Sequence, residues 1–125
     1  MITLSKEQIK RLHKMQIDAA GGLDGIRDES MLDSALSAAF QTFGGTELFP
    51  TVVAKIARIA YGLVSNHPFI DGNKRIGTYV MLVLLELNNI DIDFTDDDII
   101  HIGLDMASGK MNDKELLDII LSRLQ

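Results

Sequence analysis

The chain has 125 residues, 46% of them hydrophobic, enough apolar material for one packed domain over residues 1–125 and too little length for two. It has no cysteine, which excludes a disulfide scaffold, a thiol nucleophile and a Cys-based zinc site together. Twelve Lys and Arg against eighteen Asp and Glu leave a net charge of −6, a surface that opposes nucleic acid and anionic lipid overall. The longest uncharged apolar run, Ile76 to Leu85, is far short of the roughly 20 residues that span a bilayer. Residues 1–7 show no basic stretch leading into an apolar core, so no secretion signal is expected and the chain reads as a cytoplasmic domain.

Taken in chain order, Ser5-Lys6-Glu7-Gln8 matches a capping box and starts a first helix that runs to about Ala20. Ile9, Leu12, Gln16 and Ala19 should share one side of it, and Gly21-Gly22 should end it. Asp28 can cap a second helix through Met31, Leu32, Ala35, Leu36 and Ala39, stopped near Gly44-Gly45. Pro50 suits the first turn of a third helix, which carries Val52, Ile56, Ile59, Ala60 and Leu63 at helical spacing.

A fourth helix should run from near Asn73 to Leu87, apolar almost all round between Tyr79 and Leu85, as befits a buried central helix. Asp91-Ile92-Asp93-Phe94 has room for one edge strand, for which Ile2-Thr3-Leu4 is the available partner. Thr95 with Asp98, then Asn112 with Glu115, start two last helices on N-cap chemistry. The expected fold is all-α: about six helices, a buried central one, and at most one short edge β-pair. The aromatic stretch from Phe40 to Phe49 should close over the core beside the third helix, the other reading being a flap that aligns a target segment by strand-like pairing. His13 and His101 are given no role.

One segment breaks the core-building periodicity: Asn66-His67-Pro68-Phe69-Ile70-Asp71-Gly72-Asn73-Lys74-Arg75. Its pieces are ordinary when taken singly. A histidine before proline reads as a loop cap, Asp-Gly-Asn as a turn, and Lys-Arg as a solvated face. Together they point to a phosphate. Gly72 lets the backbone approach closely, and the first amides of the following helix have no internal partners and face an anion with a favourable dipole. Lys74 and Arg75 sit in that first turn, where cations oppose the helix dipole by some tenths of a kcal/mol each unless a polyphosphate is bound. Asp71 stands where a carboxylate can hold Mg²⁺ against phosphate oxygens. His67 supplies the side chain type best suited to accept a proton near neutral pH.

This segment resembles the signature of the Fic/Doc family, His-x-Phe-x-(Asp/Glu)-Gly-Asn-Gly-Arg-x-x-Arg. Agreement falls at His67, Phe69, Asp71, Gly72, Asn73 and Arg75, with a chance probability on the order of 10⁻⁸ per starting position. Gly21-Gly22-Leu23-Asp24-Gly25-Ile26-Arg27-Asp28, Thr42-Phe43-Gly44-Gly45 and Phe49-Pro50-Thr51 are similar to segments of the family's death-on-curing branch.

The resemblance implies a helical bundle with the motif loop before a central helix. It also implies that His67 deprotonates a target hydroxyl, Asp71 binds Mg²⁺, Gly72 and Asn73 cradle phosphate, and Arg75 contacts phosphate oxygens. Lys74 stands where adenylylating members have glycine, so it should crowd the backbone anion site, and Thr78 replaces their second arginine. The Asn-Lys-Arg pattern is that of the death-on-curing toxins, which transfer the γ-phosphate of ATP to elongation factor Tu and stop translation. No Glu is followed by Gly or Asn, so the family's inhibitory helix is not expected here. Inhibition should come from a Phd-like antitoxin in trans. The rival expectations are adenylyl transfer on the same scaffold, a binding module that merely docks a partner, and a DNA-binding regulator, which the negative charge disfavours.

Overall fold

In the computed structural model, which describes residues 1–125, the helix starts fall where the capping residues stand. Helix α1 covers Lys6–Ala20, α2 Glu29–Ser37, α3 Val52–Ser65, α4 Asn73–Leu87, α5 Asp96–Ala107 and α6 Asp113–Ser122. Ser5, Thr95 and Asn112 each close a full capping box, because the third helical residue (Gln8, Asp98 or Glu115) reaches back to the cap amide. No helix is long and apolar enough to cross a membrane.

Helix α3 sits at the centre, packed against α2, α4, α5 and α6. Ile56, Ile59, Ala60, Leu63 and Val64 are buried along it, and it shares the core with Ile76, Val80, Met81, Leu84 and Leu85 of α4. The two helices cross at Gly77: a Cβ there would stand 2.4 Å from Val64 Cγ2 and 3.1 Å from the Ala60 carbonyl oxygen. That close crossing presses the start of α4, and the loop before it, onto the end of α3. Both central helices are thus buried. Around α4 the apolar belt is less complete than its sequence suggests, since Tyr79 remains 41% exposed.

The structure corrects several local expectations. Along α1 the buried stripe is Ile9, His13 and Ile17, at i, i+4 and i+8; Leu12 and Gln16 are half-buried and Ala19 is exposed. Helix α2 ends at Ser37 and tightens into a 3₁₀ turn over Ala38–Phe40. Gly44-Gly45 does not stop that helix but forms the two-residue loop of a hairpin between β1 (Thr42–Phe43) and β2 (Thr46–Glu47). Both glycines have positive φ, 58° and 81°, as a type I′ loop requires. Pro50 lies one residue before the α3 cap, which is Thr51.

The edge pairing of Ile2-Thr3-Leu4 with Asp91–Phe94 does not form. Asn88 at the end of α4 takes both backbone polar groups of Ile2, accepting from its N–H and donating to its carbonyl, each at 2.8 Å. Ile92 is bridged instead by Leu124 of the C-terminal segment. Nor does the aromatic stretch close over the core. Phe43 is 80% exposed, Leu48 and Phe40 are about half exposed, and both strands of the hairpin lie at the surface.

Candidate functional site

The motif loop leaves α3 at Asn66 and enters α4 at Gly72, and several contacts force it into one shape. Phe69 is its anchor, 2% exposed, with its ring stacked on the His13 ring at 3.8 Å between centroids and 10° between planes. Asn73 staples the loop to itself: its side-chain oxygen accepts the Phe69 N–H at 2.9 Å and its amide donates to the Phe69 carbonyl at 3.0 Å. The Asn73 side chain is therefore spent inside the loop, and what this residue offers a ligand is its backbone N–H.

From outside the loop, Gly25–Asp28 runs alongside it. Ile26 bridges Phe69, the Gly25 carbonyl accepts the Ile70 N–H at 3.1 Å, and the Arg27 and Asp28 amides both donate to the Pro68 carbonyl, at 2.8 and 3.1 Å. His67 adopts φ +50°, a left-handed conformation uncommon for a residue with a Cβ. Its side chain is exposed.

Gly72 caps α4 with φ +79° and no side chain caps this helix. Each of the other five α-helices has a side-chain cap, from Ser5, Asp28, Thr51, Thr95 or Asn112. The α4 start thus keeps its orphan amides and its positive dipole end for a ligand. Asp71 lies beside it, exposed. One carboxylate oxygen accepts its neighbour's Gly72 N–H at 2.8 Å and the other accepts the Leu23 N–H at 3.1 Å. Gly22 makes that approach possible, since a Cβ there would stand 2.7 Å from the same Asp71 oxygen. Arg75 donates to the Gly21 carbonyl at 3.2 Å and ties the end of α1 to the α4 start.

One cavity of about 740 Å³ collects these groups: His67, Asp71, Gly72, Asn73, Lys74 and Arg75 all line it. All the sequence-derived site residues therefore face one space. Helix α5 supplies the opposite wall with Ile99, Ile100, Gly103, Leu104 and Ala107, residues that carried no motif signal. Lys74 leans towards α5. Its aliphatic stem crosses Gly103, where a Cβ would stand 2.9 Å from Lys74 Cγ and 3.3 Å from Thr78 Cγ2. The Thr78 hydroxyl, in the place of the signature's second arginine, is buried and donates to the carbonyls of Lys74 and Arg75 at 3.1 and 3.2 Å.

His13 is the residue that sequence reasoning missed. It is 1% exposed, and its Nε2–H donates to the Asp71 carbonyl at 2.7 Å, which assigns the proton to that nitrogen, while Nδ1 lies 3.6 Å from an Asp24 carboxylate oxygen. The available signal was its place four residues from Ile9 and from Ile17 on one helix face.

For Mg²⁺ the fit is that of a phosphate-borne ion. No cluster of three or more acidic or histidine side chains exists to cage a metal, and Asp71 contributes one exposed carboxylate beside an anion-ready helix start. A hard cation that keeps most of its waters and shares phosphate oxygens needs only one or two such ligands.

Comparison with known proteins agrees with this geometry. A stretch of 74 residues, 59% of this chain, is 31% identical to Toxin Doc of Mycolicibacterium smegmatis, and the match spans 57% of that protein's length, under two thirds of it. A family model described as Fic/DOC family matches residues 3–85, from the N-terminal segment through the motif loop and into α4. The chain belongs to the Fic/DOC family.

Proposed function

We propose that this chain is a toxin that transfers the γ-phosphate of ATP to a serine or threonine hydroxyl of a translation factor, with elongation factor Tu as the first candidate. Its inhibitor would be a separate, Phd-like antitoxin. The observation that carries this reading is the convergence of His67, Asp71 and the uncapped start of α4 on one cavity. The resemblance to Toxin Doc supports the toxin assignment.

The chemistry divides among the chain's own groups. The amides of Asn73, Lys74 and Arg75, with the helix dipole behind them, hold phosphate oxygens, and the cations of Lys74 and Arg75 add charge. Asp71 would hold Mg²⁺, which when bound neutralises phosphate charge. His67 accepts the proton of the attacking hydroxyl as its oxygen bonds to the γ-phosphorus. The bond from that phosphorus to the β–γ bridging oxygen breaks and ADP leaves. Ile99, Ile100 and Leu104 on α5 offer an apolar wall to the rest of the nucleotide. The exposed hairpin over Thr42–Glu47 offers free strand edges on which a target segment could be registered.

Two features favour phosphate over AMP transfer. Thr78 is buried and occupied with backbone carbonyls, so it gives no bidentate grip on a distal phosphate. Lys74 brings a cation to a position that is glycine in adenylylating relatives. The test is incubation of the protein with a bacterial lysate and ATP labelled at either the α- or the γ-phosphate. Label from the γ position alone, an intact-mass gain of one phosphate, and loss of both in His67→Ala are the expected results. Transfer from the α position would establish adenylylation instead. Undiminished toxicity of a folded His67→Ala chain would favour a docking module.

A further inference from the structure

Outside the motif, one side chain holds the backbone of the proposed base. The Arg27 Nε–H donates to the His67 carbonyl at 2.6 Å and Nη2 donates to the Asn66 carbonyl at 2.9 Å. Asn66 is the C-cap of α3, so one guanidinium covers two consecutive carbonyls at a helix end, where orphan acceptors and the dipole both favour a cation. With the Arg27 and Asp28 amides on the Pro68 carbonyl, three carbonyls in a row are held by two residues of another segment.

What this clamp restrains is costly. The left-handed φ of +50° at His67 is disfavoured for a residue with a Cβ, and such a conformation persists only where the surroundings over-determine it. Arg27 is exposed and does not line the cavity, so it neither fills core nor touches a ligand there.

We infer that Arg27 is a positioning residue for the transfer step, fixing the backbone at His67 so that the imidazole faces the cavity; this rests on the proposed role of His67. A lysine cannot replace it fully, because one ammonium lacks the fork that spans both carbonyls. Without the clamp His67 relaxes towards negative φ and its ring turns away from the phosphate, while the helix start that holds ATP is unchanged. The rate should suffer and nucleotide affinity should not.

The experiment compares the full chain with Arg27→Ala, Arg27→Lys and His67→Ala. It follows transfer of label from ATP to the acceptor in lysate over a range of ATP concentrations. In parallel, the His67 backbone and ring signals are recorded by NMR on the isolated protein. Arg27→Ala should lower kcat about 10- to 100-fold, with KM for ATP within about twofold. Arg27→Lys should fall between it and the parent, and the His67 signals should move in both variants while those of buried core residues stay in place. A parental kcat in Arg27→Ala, or a lost kcat with unmoved His67 signals, overturns the inference and leaves the role of His67 standing. Parental transfer by His67→Ala overturns that role and the inference with it. If Arg27→Ala unfolds, the Lys variant and its His67 signals decide by the same criteria.

Discussion

The imidazole of His13 on α1 donates to the backbone carbonyl of Asp71, 58 residues later, at 2.7 Å, and stacks on Phe69 of the same loop. One buried ring thus restrains the motif loop by two contacts of different kind, one polar and one aromatic. His13→Phe retains an aromatic ring and removes the donor, leaving a partly buried carbonyl unpaired. The expected cost is about 1–3 kcal/mol, read from urea unfolding. His13→Gln, which carries an amide N–H towards the same oxygen, should recover part of it. Equal stability of His13→Phe and the parent would show that the hydrogen bond does not hold the loop.

The hairpin is tied down by a lysine. Lys55 of α3, with its side chain 8% exposed, bonds Glu47 at 2.9 Å and donates to the Phe49 carbonyl. Lys55→Met keeps the apolar stem, and the released Glu47 is half-exposed and regains water. Global stability should fall by about 1–3 kcal/mol, chiefly for the Phe49 carbonyl left without its donor. Amide hydrogen exchange over residues 41–49 should accelerate, and labelling of the protein target should fall while ATP binding holds. Unchanged exchange in this segment would mean that other contacts anchor the hairpin.

Gly103 is where α5 gives way to Lys74. In Gly103→Ala the new methyl meets Lys74 Cγ at 2.9 Å and Thr78 Cγ2 at 3.3 Å, so the stem of Lys74, which lines the cavity, must shift. A Gly-to-Ala change inside a helix gains up to about 1 kcal/mol, which should offset the crowding and leave the melting temperature close to that of the parent. The KM for ATP should rise several-fold, as measured by titrating the transfer reaction. A parental KM would show that the lysine stem has room to spare.

The acid side of the stability profile should depend on Asp98. Its carboxylate accepts the Thr95 cap amide at 2.9 Å and pairs with Arg123 at 2.7 Å, and these partners hold its pKa below the ordinary 3.8. A depressed folded-state pKa means that the stabilisation is complete above the unfolded value and is lost as pH falls through the folded one. Asp98→Asn should therefore melt below the parent at neutral pH, and the two curves should converge in acid below 3.8. A difference that persists undiminished there would assign the effect to lost packing rather than charge.

Helix existence and starting points were legible in the sequence because capping is local chemistry. Ser5, Asp28, Thr95 and Asn112 act within three residues of themselves, while the Thr51 cap of α3 was passed over for its neighbour Pro50. The motif was legible too, since residues adjacent in sequence must stay near one another in any fold. The hairpin was misread because two adjacent glycines end a helix or turn a hairpin equally well by their own dihedral freedom.

By itself, the sequence determined that this is a helical chain whose one chemically dense loop runs straight into a helix start. Only tertiary structure decided what holds that loop and what faces it. His13 reaches Asp71 and Arg27 reaches His67 across 58 and 40 residues, and α5 closes the cavity with side chains of no distinctive type. These are long-range contacts made through backbone carbonyls and plain apolar surface, which leave no pattern in residue spacing; they come into being only when α1, α3, α4 and α5 pack.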